Sequence, residues 1–167
     1  MNATLRPIKA AVAALLMAAA TLLAPAAPAS AAAPVTIQNI GTADCLDQHY
    51  NTAAQPTTTV YVWPDPCHFV GNQQWTFEFV GGGNNYRVIN ARSGWCLSAP
   101  NGAGSRVFTE FCVSPLPNKQ KWTPVLNSFG SNLLVNALSG QCLRQSGADA
   151  YVAACDENTT TQRWSWS

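Results

Sequence analysis

Apolar and polar side chains alternate along Trp75-Thr76-Phe77-Glu78-Phe79-Val80, and a period of two marks a half-buried β-strand. Gly81-Gly82-Gly83-Asn84-Asn85 supplies a turn. Tyr86-Arg87-Val88-Ile89-Asn90 resumes as a strand, so a hairpin is predicted here. The same order recurs as Trp122 to Leu126, a polar stretch from Asn127 to Asn132, then Leu133 to Asn136. Further strands are predicted over Thr59 to Trp63, Arg106 to Phe111 and Ala150 to Ala154. Many short strands with dense turns and few charges predict an all-β chain. The glycine run has neither the spacing nor the following helix of a dinucleotide-binding loop, so it reads as a hairpin turn.

The strands belong to a repeat. Gln73-Gln74-Trp75, Gln120-Lys121-Trp122 and Gln162-Arg163-Trp164 each place a Gln two residues before a Trp, and the tryptophans are 47 and 42 residues apart. The cysteines follow the same register. Cys45-Leu46, Cys96-Leu97 and Cys142-Leu143 each open a unit. Cys67, Cys112 and Cys155 lie inside, and the Gln-x-Trp closes it. Turn residues recur before each opening Cys: Asn39-Ile40-Gly41, Asn90 to Gly94, and Asn136 to Gly140. A fixed period of this length indicates units that share one core, here at about residues 35–80, 81–127 and 128–167.

The N-terminal residues stand apart from this pattern. Arg6 and Lys9 precede a short, Ala-rich apolar run over residues 10–24, and Ala29-Ser30-Ala31 offers a small-residue cleavage site. That order is a secretory signal peptide. The run is shorter than the roughly 20 residues of a membrane span, and Pro25 and Pro28 follow it. Residues 1–31 are therefore expected to be removed, leaving 32–167 as one secreted domain with no span. No Arg pair precedes the apolar run, so the bacterial general secretion route is expected. Without Arg6 and Lys9 the nine basic residues become seven, against eight acidic. No basic patch remains, which argues against a nucleic-acid partner.

All six cysteines lie in the expected mature part, and an even count in an exported chain reads as a disulfide framework. No C-x-x-C occurs, and His49 and His68 are the only histidines. No metal site or cofactor is expected. The repeat favours, among fifteen connectivities, pairing within each unit: Cys45 with Cys67, Cys96 with Cys112, Cys142 with Cys155. Each bridge would stabilise the fold by about 3 kcal/mol in the chain-entropy model.

Three Cys-Leu, Cys, Gln-x-Trp units in register resemble the ricin B-chain type lectin domain, a β-trefoil, over essentially the whole chain from about Val35 to Ser167. The resemblance implies twelve short strands in three pseudo-symmetric, four-stranded units. It makes Trp75, Trp122 and Trp164 core residues, with Gln73, Gln120 and Gln162 satisfying local polar groups. It also implies carbohydrate binding, with a shallow site available to each unit. Such a site needs a carboxylate for two sugar hydroxyls, an aromatic ring for the pyranose face, and an Asn or Gln that orients the acid.

The first unit fits this chemistry best. Asp47 follows Cys45-Leu46 in the acid position, and Asn72-Gln73 matches the family's Asn-Gln. The aromatic platform usually stands two residues before the second Cys, where this chain has Asp65. A small insertion would make Trp63 the platform and bring Tyr61 to a position where the family often has Gln. In the second unit Ser98, Glu110 and Lys119 replace acid, platform and Asn, and Phe111 has shifted by one. In the third, Arg144, Ala153 and Thr161 do so, with Tyr151 nearby. One usable site is expected, for a galactose- or xylan-type glycan. The alternative is a non-catalytic trefoil scaffold or inhibitor that has lost sugar binding, since a fold does not fix a function. Catalysis is not expected. Asp47 and Asp65 fit exposed turn acids as well as a paired acid and base, and every Cys has a partner.

Overall fold

The computed structural model describes residues 32–48, 67–68 and 71–167, together with the backbone of 58–63. The expected signal peptide at 1–31 lies outside the described residues, as do His49, Asp65 and the side chains of Tyr61 and Trp63. Among the described residues there are twelve strands: β1 (Val35–Asn39), β2 (Cys45–Gln48), β3 (Thr58–Trp63), β4 (Gln74–Gly81), β5 (Asn85–Asn90), β6 (Cys96–Ser98), β7 (Phe108–Glu110), β8 (Trp122–Leu126), β9 (Asn132–Asn136), β10 (Cys142–Ser146), β11 (Asp149–Ala153) and β12 (Trp164–Trp166). They form three units of four strands. A single 3-10 turn precedes the last strand of each, at Gly71–Gln73, Asn118–Gln120 and Thr160–Gln162.

Six strands close a barrel. β1 pairs with β4, β4 with β5, β5 with β8, β8 with β9, β9 with β12, and β12 with β1, all antiparallel. Closure leaves this ring without the unpaired edge that invites aggregation. The other six form the hairpins β2–β3, β6–β7 and β10–β11. These meet one another: β3 pairs with both β7 and β11, and an isolated bridge joins Arg106 to Tyr151. This architecture is a β-trefoil.

The predicted strand over Arg106 to Phe111 is shorter than expected, and the reason is a change of partner. Arg106 and Val107 face the third unit, where the Val107 amide donates to the Ala150 carbonyl at 2.9 Å. Only Phe108 to Glu110 pair with β6. The β4–β5 turn passes through Gly81, Gly82, Gly83 and Asn84, all with positive φ. Only glycine enters that region freely, and Asn is among the few side chains that follow it.

The core is threefold. Ile37, Val88 and Leu134 occupy one equivalent position, Leu46, Leu97 and Leu143 a second, and Trp75, Trp122 and Trp164 a third; all are fully buried. A buried indole N–H needs an acceptor. Trp75 Nε1 donates to the Leu46 carbonyl at 2.9 Å, Trp122 Nε1 to Leu97 at 2.9 Å, and Trp164 Nε1 to Leu143 at 3.0 Å. The opening Leu and closing Trp of each unit are thus bonded to each other across 21 to 29 residues of chain.

The Gln of each Gln-x-Trp holds the loop that carries the second Cys. Gln120 donates to the Phe111 carbonyl and accepts from the Val113 amide, at 2.8 and 3.1 Å, on either side of Cys112. Gln162 does the same to Ala154 and Asp156 around Cys155, at 2.8 and 2.9 Å. Gln73 accepts from the His68 amide at 2.7 Å, just after Cys67. The disulfides Cys45–Cys67, Cys96–Cys112 and Cys142–Cys155 join the same loops to the strands that open each unit.

Neighbouring units are joined by the asparagines at the end of β1, β5 and β9. Asn39 Nδ2 donates to the Thr161 carbonyl at 3.0 Å, Asn90 Nδ2 to Asn72 at 2.9 Å, and Asn136 Nδ2 to Lys119 at 2.9 Å. Each therefore reaches back to the residue before the Gln of the preceding unit, and the three bonds run around the whole ring. Each Oδ1 caps its own turn, on the amides of Gly41, Arg92 and Leu138.

Replacing Trp164 with Phe removes the bond between strand β12 and the Leu143 carbonyl and leaves a gap in a dry core. With disulfides intact, denaturant unfolding should show a loss of about 2–4 kcal/mol. A loss below about 0.5 kcal/mol would show that the indole bond contributes little beyond ordinary packing.

Candidate functional site

Asp47 lies on β2, opposite Tyr61 of β3 in the strand register. It is 8% exposed. Asn72, half-buried in the 3-10 turn Gly71–Gln73, points its amide at this acid: Nδ2 lies 2.7 Å from Oδ1 and 2.8 Å from Oδ2. One NH₂ group thus lies across both carboxylate oxygens and fixes the plane of the acid. Each oxygen of an ionised carboxylate has about two acceptor positions, so the pair retains capacity for further donors, and the neutral Asn72 amide brings no opposite charge.

Gln73 faces the other way. It is 1% exposed, and its Oε1 is taken by the His68 amide. Its side chain supports the loop on which Asn72 sits. The 3-10 turn sends neighbouring side chains in different directions.

The register also locates Trp63. It stands opposite Cys45, as Glu110 stands opposite Cys96 and Ala153 opposite Cys142. These three positions are equivalent, although Trp63 precedes its second Cys by four residues and the other two precede theirs by two. The extra residues fall between Trp63 and Cys67, in a segment that lies outside the described residues.

The β2 strand is held from the second unit. Gln48, next to Asp47 and buried, donates to Thr109 Oγ1 at 2.9 Å and accepts from Ser93 Oγ at 2.6 Å. Gly71 packs against Arg92, where an added Cβ would come within 3.2 Å of the Arg92 Cβ. The third unit has the matching contact: Gln145 accepts from Thr42 Oγ1 at 2.7 Å. The second has Ala99 in that place.

Unit two carries different chemistry at the equivalent positions. Ser98 is fully buried. Lys119 stands where Asn72 does and forms an ion pair with Glu110, Nζ to Oε2 at 2.8 Å. Burial acts to raise the Glu110 carboxyl, but the hydrogen bond and charge of Lys119 lead the opposing effects and hold it below the ordinary value. Phe111 is 61% exposed and packs on Trp95, ring centroids 4.9 Å apart. In unit three Arg144 is exposed. Tyr151 is engaged elsewhere: its hydroxyl lies 3.2 Å from Arg106 Nε and 3.3 Å from Asp149 Oδ2, and Arg106 pairs with Asp149 at 2.7 Å. The Asp47–Asn72 arrangement therefore has no counterpart in the other two units.

A concavity of about 900 Å³ has Phe77, Phe79, Tyr86 and Ile89 among its lining residues, with Ala32 and Pro34. Neither Asp47 nor Asn72 lines it. Its rings pack edge-on or tilted: Phe77 with Tyr86 at 6.1 Å, Phe79 with Tyr86 at 5.5 Å, and Phe77 with Trp166 at 5.0 Å. Among the described residues no helix is long and apolar enough to cross a membrane.

The family model of the ricin-type β-trefoil lectin domain matches residues 33–164. The chain belongs to this family, and a carbohydrate-binding role is what membership supports. No curated protein matches the sequence. Among solved structures, the fold is similar to the designed 3-fold symmetric protein ThreeFoil, with 20% identity, a TM-score of 0.69, and coverage of 80% of this chain and 96% of that one. It is also similar to part of an exo-β-1,3-galactanase from Clostridium thermocellum, with 18% identity and a TM-score of 0.69. There 83% of this chain covers 30% of the enzyme. The hemolytic lectin CEL-III matches at 19% identity and a TM-score of 0.59, covering 78% of this chain and 32% of that one. At these identities the likenesses establish the fold.

Glu110 gives a pH test. Its folded value is depressed, so its contribution is present above the unfolded value and is lost as pH falls through the folded one. The stability difference between the wild type and Glu110→Gln should be constant from pH 7 to about 5 and shrink below about pH 4.3. A difference that grows on acidification would reverse the assignment.

Proposed function

We propose that the chain is a secreted carbohydrate-binding protein with one sugar site, in the first unit. In this reading residues 1–31 are removed as a signal peptide and 32–167 act outside the cell. Asp47 accepts hydrogen bonds from two adjacent sugar hydroxyls. Asn72 holds the carboxylate plane and completes the polar contacts. Trp63 provides the ring for the pyranose face, and Tyr61 borders the site opposite Asp47.

The observation that carries this is the Asp47–Asn72 contact, which offers an acid oriented by a neutral amide. The register supports Trp63 as the platform, because it occupies the position equivalent to Glu110 and Ala153. The pleat brings positions 47, 61 and 63 to one face of the β2–β3 hairpin. Ser98 with Lys119, and Arg144 with Thr161, offer no such acid. A single shallow site binds without the gain that linked sites provide, so modest affinity is expected. Galactose- and xylan-type glycans both present the adjacent hydroxyls and apolar face that the site requires.

The test is a glycan array of the oxidised chain 32–167 beside Asp47→Ala, with Arg144→Ala as a control. Losing a charged acceptor costs about 1.5–3 kcal/mol, so Asp47→Ala should weaken binding about 10- to 150-fold while Arg144→Ala matches the wild type. No binding by the wild type would overturn the reading and favour a non-catalytic interaction scaffold.

A further inference from the structure

We propose that Asn90, a residue of the second unit, is a positioning residue for the site in the first. The proposal rests on the Asp47 reading above, but its geometry is independent of which sugar binds. Asn90 is fully buried at the end of β5. Its Nδ2 donates to the Asn72 carbonyl at 2.9 Å, and its Oδ1 accepts from the Arg92 and Ser93 amides at 3.1 and 3.2 Å. Asn72 is thus gripped at both ends: its carbonyl by Asn90, its side chain against Asp47. The bond fixes the backbone from which the Asn72 amide reaches the acid, so the acid's orientation depends on a residue that is itself fully buried.

Two further contacts set the same boundary. Ser93, in the turn that Asn90 caps, donates to Gln48 beside Asp47. Arg92, in that turn, packs against Gly71 beside Asn72. The turn of the second unit therefore touches the first at two points: the acid's neighbour Gln48 and the amide's neighbour Gly71. The site is a product of two units, and the second contributes positioning despite having lost its own acid.

The pseudo-threefold symmetry supplies a matched control. Asn136 makes the same bond to the Lys119 carbonyl at 2.9 Å and caps its own turn in the same way, but the unit it serves has no acid at the Asp47 position. Serine in place of either Asn retains a hydroxyl for the turn amides and is too short to reach the carbonyl. A purely structural role predicts equal effects of Asn90→Ser and Asn136→Ser. A positioning role predicts different ones.

The experiment compares the oxidised wild type, Asn90→Ser and Asn136→Ser by thermal unfolding, by the Asn72 side-chain amide resonance in ¹⁵N spectra, and by titration with lactose and with xylo-oligosaccharide. The two variants should lose similar stability. Asn90→Ser should shift the Asn72 side-chain resonance and weaken whichever probe binds about fivefold, in line with the loss of one hydrogen bond. Asn136→Ser should leave both readouts at wild-type values. Equal resonance and binding changes in the two variants, or none in Asn90→Ser, would overturn the proposal. If neither probe binds the wild type but the Asn72 resonance moves in Asn90→Ser alone, the positioning role stands and the sugar reading fails. If Asn90→Ser does not fold, Ser93→Ala, which removes the bond to Gln48 and leaves Asn90 in place, is read in the same way.

Discussion

Three indole N–H groups lie in a core that excludes water, and each must find an acceptor inside it. The trefoil depends on how this is met. Each Trp donates to the carbonyl of the Leu that follows its unit's opening Cys, so the last strand of a unit is bonded to the second. An unsatisfied donor there would cost about 1–3 kcal/mol, and three would consume much of a small domain's stability. The Gln two residues earlier acts on the other side of the same construction. It holds the loop carrying the second Cys, which the disulfide returns to the strand bearing Leu. Leu, Cys, Gln and Trp are therefore one device repeated three times, and Asn39, Asn90 and Asn136 join the repeats into a ring.

This division explains what the units share and what they do not. The shared residues are buried and bond to backbone, whose groups are in the same place in every unit. Changing any one orphans a fixed partner. Asp47, Ser98 and Arg144 share one position without sharing a partner: the acid and the hydroxyl are buried there and the guanidinium is exposed. Chemistry has diverged where the scaffold places no demand on it.

The same division sets how much could be read from the sequence. The Gln-x-Trp spacing and the cysteine order disclosed the trefoil because the scaffold residues recur. The strand over Arg106 to Phe111 was only partly legible, since its switch from β6 to the third unit depends on a neighbour remote in sequence. The adjacency of Gln73 to Asn72 does not disclose which way the 3-10 turn sends each side chain. The two residues that prop the site from the second unit left contrasting traces. Asn90 has a signal, since Asn stands six residues before each opening Cys, but its repetition suggested a turn residue and nothing more. Ser93 has a weaker one, because its partner Gln48 is matched by Gln145 and then by Ala99.

The comparison of Asp47 with Glu110 shows why a trefoil unit stops being a candidate site even while it retains an acid. Both carboxylates have a nitrogen donor from the 3-10 turn at nearly the same distance, 2.7 Å from Asn72 and 2.8 Å from Lys119. The amide orients its acid and leaves the charge in place. The ammonium orients its acid and cancels the charge, so a neutral hydroxyl approaching Glu110 must compete with a cation for the same oxygens. Charge-assisted bonds of this kind are roughly twice as strong as neutral ones. A neutral hydroxyl would therefore gain more by joining Asp47 than by displacing Lys119 from Glu110, an acid that stands at the position of Trp63 while Ser98 takes that of Asp47.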